Sequence, residues 1–190
     1  MTSPDRGVEA LRHPSHLYSR AEILARPSPV PDVPGVYAWY FRTLPGGVDA
    51  NRCIEVQDRR LLYVGIAPRA PGRSKATLRS RLRNHYRGNA EGSTLRLTIG
   101  CLLGLELRRV GQRTVMTFGP AELDLSTWMA DNAFVTWIED PKPWLLESVL
   151  IHSIDLPLNL DQNAYHAFHA HLSELRRGAR RRARTLPVLA

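Results

Sequence analysis

Cysteine is scarce in this chain of 190 residues. Its two thiols, Cys53 and Cys101, lie far apart and form no Cys-x-x-Cys pattern, which argues against a cysteine-based zinc site and a disulfide framework. Both are expected to be reduced. Long hydrophobic runs are missing as well. The longest, Leu97 to Leu107, is interrupted by Gly100, Gly104 and Glu106 and falls short of the ~20 apolar residues that a membrane-spanning helix needs, so no membrane partner is expected. Met1 to Arg6 show no charged segment followed by an apolar stretch. The expectation is therefore a cytoplasmic protein without a secretory leader.

Acidic residues are absent from two windows that are rich in arginine. The net charge is +8, yet the six arginines of residues 176–190 leave the first 175 residues with 20 basic against 18 acidic side chains. The second window runs from Pro68 to Ala90 and holds Arg69, Arg73, Lys75, Arg79, Arg81, Arg83 and Arg87. A preference for arginine explains 24 arginines beside two lysines, but not the missing acids. Such patches are the electrostatic footprint of a polyanion binder. The Arg180-Arg181-Arg182-x-Arg184 run reads as a flexible, charge-steering extension.

Length and a 43% hydrophobic content support one domain with flanking segments. Residues 1–33 read as a proline-rich, irregular lead-in with a short helix over Ser19–Ala25, residues 34–163 as the domain, and residues 164–190 as a helix and basic tail. Val36–Phe41 and Leu61–Ala67 have the apolar, branched and aromatic character of strands, joined by a polar connection over Leu44–Arg60. Thr77–Arg87 has helical spacing, and a second helix is expected over Ser93–Leu103. Leu105–Val110 and Arg113–Phe118 suggest an added hairpin about Gly111-Gln112, followed by a helix over Ala121–Asp131 and a strand over Phe134–Glu139. Asp140 and Pro141 are expected to open a helix reaching Ile154, and a last amphipathic helix is expected over Tyr165–Leu175.

Several polar residues fall where chemistry could use them. Arg81 and His85 are four apart on one helix and share a face, beside the Leu78, Leu82 and Tyr86 stripe. Arg79, Arg83 and Arg87 form a separate row that suits either solvent or a phosphate backbone. Glu147 falls among Leu146, Leu150, Ile151 and Ile154, on an apolar helix face. A carboxylate there must be paired, hydrogen-bonded or bound to a metal, because burying it bare is too costly; an ion pair with Arg81 or a neighbour and a metal site fit equally. Tyr37 and Tyr63 read by themselves as core tyrosines of half-buried strands. His152, His166, His169 and His171 have no cysteine to complete a tetrahedral zinc set and read as surface or packing histidines.

Taken in order, Gly35-Val36-Tyr37, Tyr63-Val64-Gly65, Arg81-x-x-x-His85, Glu147 and Asn159 resemble the GIY-YIG nuclease superfamily over residues 34 to about 163. Leu156-Pro157-Leu158-Asn159-Leu160 is similar to that family's terminal asparagine motif. The resemblance implies an α/β sandwich (α+β) with a small central antiparallel sheet flanked by helices, here extended by the hairpin and the C-terminal helix. It implies cleavage of DNA with one divalent cation, Mg²⁺ or Mn²⁺, and a catalytic set of Tyr37, Tyr63, Arg81, His85, Glu147 and Asn159, with Glu147 as the metal ligand. In that scheme Arg81 offsets charge on the phosphate oxygens, and Tyr37, its pKa lowered by adjacent cations, or His85 acts as the base. Asn159 fixes Glu147 or a phosphate oxygen, and Gly65 stands where a side chain would block the substrate or a neighbouring strand. Lys75, Arg79, Arg83 and Arg87 are the expected DNA-binding cations. Three departures stand out: a long connection between the two tyrosine motifs, an insertion over Ala67–Ala76, and Val36 in place of isoleucine. The other reading is a non-catalytic nucleic-acid-binding or partner-binding module on the same scaffold.

Overall fold

A computed structural model of the chain describes residues 4–70, 72, 75–111 and 115–189. Its spine is β1 (Gly35–Phe41), a run of branched and aromatic side chains in which every residue is buried. β1 pairs antiparallel with β3 (Arg59–Ala67) on one side and with β6 (Ala133–Glu139) on the other. The two-residue β2 (Glu55–Val56) adds to the far edge of β3, giving the order β2-β3-β1-β6. Gln57 and Asp58, at φ 49° and 63°, make the two-residue turn that returns β2 into β3.

Alternation along β1 divides the core between the two faces of the sheet. Tyr37, Trp39 and Phe41 meet α3 (Leu78–Arg87), α4 (Thr94–Leu102), α5 (Glu122–Asn132) and α7 (His169–Thr185). Val36, Ala38 and Tyr40 meet α6 (Pro143–Ser153) and α1 (Pro4–Arg12) on the opposite face. This is the expected α/β architecture, a small antiparallel sheet between helical layers. Opposite Trp39 and Tyr40, β3 carries an extra residue, Leu62, and this bulge resets which of its side chains face each layer.

The lead-in is more regular than its prolines suggest. α1 packs on α6, its Leu11 is fully buried, and the Leu11 carbonyl accepts a hydrogen bond from the Tyr40 hydroxyl at 2.5 Å. α2 (Arg20–Leu24) starts at Ser19 through a reciprocal capping box with Glu22. The expected hairpin is short: β4 (Arg108–Arg109) pairs with β5 (Met116–Thr117). Gln112 and Arg113 of that hairpin, and Pro71 and Arg73 of the insertion, lie outside the described residues. Asp140 does not cap α6; its carboxylate accepts from the Lys142 N–H, and the helix begins at Pro143. The basic tail is no loose extension, since α7 runs to Thr185 and buries Leu172, Gly178, Ala179 and Ala183, with α4 packed against it. Among the described residues no helix is long and apolar enough to cross a membrane.

Candidate active site

The β1–β3 register sets Tyr37 opposite Gly65 and Trp39 opposite Tyr63, so the two tyrosine motifs lie side by side. Tyr37 lies across Gly65, where a Cβ would come within 2.6 Å of the phenol oxygen. The glycine is thus required by a neighbouring side chain. Both tyrosines line a cleft of about 300 Å³ together with Arg69, Arg81, Glu147, Asp161 and Arg176.

α3 begins at Thr77, whose side chain accepts from the Ser80 N–H while Ser80 Oγ accepts from the Thr77 N–H. Leu78, Leu82 and Tyr86 anchor it in the core, and this orients Arg81 and His85 toward Tyr37. Arg81 Nε donates to the Tyr37 hydroxyl at 3.3 Å, and Nη1 donates to the Gly92 carbonyl at 3.3 Å. Burial opposes the Arg81 charge, but Tyr37, by charge and hydrogen bond, and Tyr63 hold its pKa above the ordinary arginine value. His85 is fully buried between Tyr37 Oη, 2.9 Å from Nε2, and Ser93 Oγ, 2.7 Å from Nδ1. Burial, reinforced by Arg81, Arg69 and Arg96, pushes the His85 pKa well below the usual imidazole value and keeps the ring neutral. Ser93 also caps α4 by accepting from the Arg96 N–H. The fully buried Arg96 is neutralised by Glu122 at 2.6 Å.

The expected lowering of the Tyr37 pKa is not what the site produces. Burial raises it, and the pull of Arg81 and Arg69 only partly offsets that rise. Tyr63 is raised by the same cause, with Tyr37 and Glu147 adding to it. Both phenols are therefore protonated at neutral pH.

Glu147 occupies the border of the apolar face of α6. Leu146, Leu150 and Ile151 go under the sheet, while the Glu147 side chain, half-buried, reaches around the edge of β3 to the cleft. Among the described residues it has no ion pair, so the pairing with Arg81 that the sequence left open is not formed. Burial, with repulsion from Asp161 and a smaller opposing pull from Arg69, pushes its pKa up to about 7.

Asn159 is used differently from the sequence expectation. Its Oδ1 accepts from the Val64 N–H and its Nδ2 donates to the Val64 carbonyl, both at 2.9 Å. β2 covers only Arg59 and Arg60, so Val64 lies on an open strand edge, and the Asn159 amide takes the place of a pairing strand. The Leu158 N–H donates to the Leu62 carbonyl at 3.0 Å, and Asn163 holds the turn by donating to the carbonyls of Leu156 and Asn159. The 156–163 segment is thereby seated against β3 and forms the cleft wall that carries Asp161.

The expected DNA-binding row does not line the cleft. Arg79 donates to the Val30 carbonyl at 2.8 Å and lies 4.0 Å from Asp32, while Lys75 and Arg87 are exposed elsewhere and Arg83 is half-exposed. The cleft cations besides Arg81 are Arg69, which donates to Thr94 Oγ1 at 2.9 Å, and Arg176, whose Nε is buried without a hydrogen-bond partner. Sequence reasoning did not assign either to the site. A signal for Arg176 was available in Leu172, Leu175, Ala179 and Ala183, which continue a helical stripe through the arginine run. Of the remaining histidines, His152 contacts the Ser148 carbonyl and His166 contacts Asp155.

The chain matches the family model of the GIY-YIG catalytic domain over residues 35–178. It belongs to the GIY-YIG family. No curated protein and no solved structure matches the chain. The GIY-YIG family is of the nuclease type, and its members generally use divalent metal ions. Among the described residues no group of three His, Cys, Asp or Glu side chains could enclose such an ion. The GIY-YIG domain nevertheless fits a hard cation that keeps most of its water: Mg²⁺ is commonly held by one or two carboxylates plus substrate phosphates. Glu147 offers an unpaired carboxylate at the cleft, with Asp161 near enough to raise its pKa.

Proposed function

We propose that the chain is an endonuclease that hydrolyses DNA phosphodiester bonds using a divalent cation, Mg²⁺ or Mn²⁺, held at Glu147. The observation that carries this reading is the meeting, in one cleft, of an unpaired carboxylate, the Arg81 guanidinium and a hydrogen-bonded chain from Tyr37 through His85 to Ser93. Bound at Glu147, the cation supplies Lewis-acid polarisation of the scissile phosphate and stabilises the leaving oxygen.

The other roles follow from the chain's own groups. Arg81 is oriented by Tyr37 and Gly92, and its remaining N–H donors bind the phosphate oxygens on which negative charge develops. Tyr37 takes a proton from the attacking water while its own proton passes to His85 Nε2. A neutral His85 has the vacant lone pair this needs, and its Nδ1–H then donates to Ser93 Oγ. Fully buried, His85 acts on the water only through Tyr37. Tyr63, the more open of the two phenols, positions the phosphate or the water beside Glu147. Asn159 acts by holding the cleft wall on β3.

A plasmid-nicking assay tests the proposal. The parent protein is expected to convert supercoiled DNA to nicked or linear forms with Mg²⁺ or Mn²⁺ and not with EDTA, and Glu147→Ala to be inactive. Salt-sensitive binding without cleavage of any DNA form would favour the non-catalytic module instead.

A further inference from the structure

Five of the six arginines of α7 fall into two rows, with Arg182 in neither. Arg177 and Arg181 reach Glu174 at 2.5 and 3.7 Å on the outer face of the helix. Arg176, Arg180 and Arg184 repeat every fourth residue, and among the described residues no carboxylate pairs with them. All three face depressions in the surface. Arg176 opens into the catalytic cleft, and Arg180 and Arg184 border a trough of about 530 Å³ that Arg109 also lines. A third depression joins the two, sharing Arg69 and Arg81 with the cleft and Leu97 and Arg180 with the trough.

We propose that this channel is a track for the phosphodiester backbone of the nucleic-acid strand running away from the scissile bond, with Arg180 and Arg184 as its phosphate ligands. Charge complementarity argues for that occupant. Arginine is common in this chain, but unpaired arginines aligned along a channel that ends at the catalytic cleft are not a consequence of composition. Residues four apart on a helix are about 6 Å apart along its axis, a step that lets successive arginines address successive phosphates of one strand. The one acid among the described residues of the channel, Glu91, is engaged through Oε2 by the Met116 N–H. Arg109 is turned toward the end of α7, donating to the carbonyls of Ala183 and Leu186, and so serves to seat the helix. Helix register separates the two rows: Leu172, Ala179 and Ala183 are buried, which puts 176, 180 and 184 at one border of the packed face and 177 and 181 outside it.

The proposal rests on the cleft acting on a nucleic acid, and the test reads the two separately. Binding of a fluorescein-labelled 30-nucleotide single strand, and of its duplex, is followed by anisotropy in EDTA over a series of salt concentrations, and plasmid cleavage is followed in parallel with Mg²⁺. Arg180→Ala with Arg184→Ala is expected to weaken binding about tenfold and to reduce the salt slope by about 2, one unit for each phosphate no longer neutralised. Arg177→Ala with Arg181→Ala, on the same helix, is expected to stay within about twofold of the parent, because those side chains are outside the channel. All four residues are solvent-accessible, and thermal melts verify that both double variants are folded. Equal losses from the two rows, no loss from the inner row, or no binding by the parent would overturn the track. A parent that binds but does not cleave would overturn the nuclease reading and still allow the two rows to decide the track.

Discussion

Tyr37 and Gly65 are in van der Waals opposition across the β1–β3 pair, the phenol occupying the space a side chain at position 65 would need. The hydroxyl that meets Arg81 and His85 is therefore positioned by a missing Cβ as much as by its own hydrogen bonds. Gly65→Ala must displace the Tyr37 ring or part the strands, since the contact would fall at 2.6 Å. It is expected to cost about 1–3 kcal/mol of stability by overpacking and to lower kcat at least 100-fold, as 1 Å of misplacement does elsewhere. Thermal melts and single-turnover cleavage read the two effects.

Tyr37 and His85 are expected to behave as one unit. Tyr37→Phe removes the atom that His85 and Arg81 both contact, and His85→Gln retains a hydrogen-bonding side chain that cannot take up the proton. Each substitution should lower kcat by about 10²–10⁴-fold, and the double variant should be scarcely worse than either. Fully additive losses would show that the two act separately. NMR of the imidazole nitrogens should find His85 neutral at pH 6, because burial and three nearby arginines depress its pKa.

Glu147 makes the metal-free protein sensitive to pH in a definite direction. The unfolded chain ionises this group near 4.5, whereas the folded protein retains the proton until about 7. The native state is therefore penalised progressively between these values and fully above the higher one. Glu147→Gln should raise the melting temperature by about 7–14 °C at pH 8 in EDTA, with the advantage gone below pH 4.5. Mg²⁺ should narrow the difference at pH 8 by stabilising the parent alone. Protons and cation compete for the same carboxylate, so the apparent metal affinity of the parent should fall about tenfold for each pH unit below 7.

Asn159→Leu tests the seat of the cleft wall. Two hydrogen bonds to Val64 are removed and its buried N–H and C=O are left unpaired, at an expected cost of about 2–3 kcal/mol. Activity should fall through displacement of the segment carrying Asp161, with protection of the Val64 amide from hydrogen exchange reduced in the same variant. Normal exchange at Val64 with abolished cleavage would instead assign Asn159 a direct part in the chemistry.

Local patterns made much of this architecture legible. The apolar runs at Val36–Phe41 and Leu61–Ala67 are strands because nothing else suits branched and aromatic residues at that density, and the Leu78, Leu82, Tyr86 stripe fixes the helix that aims Arg81 and His85. What escaped depends on distant parts of the chain. Asn159 is an edge partner for Val64, a relation invisible without the sheet. Arg176 lies in a run of arginines whose inner and outer members differ only by the docking of α7 on α4. The Tyr37 pKa went the other way because its burial outweighs its cationic neighbours, a balance that residue order does not contain.

The closure of the β3 edge by a residue 95 positions downstream bears on how the cleft comes into being. Tyr37, Tyr63, Arg81 and His85 all leave the ribosome long before Glu147 and the 156–163 segment, and the cleft wall that carries Asp161 is absent until that segment docks on β3. A partly synthesised chain that stops short of this segment therefore has the Tyr37–His85 pair but lacks the wall that closes the cleft.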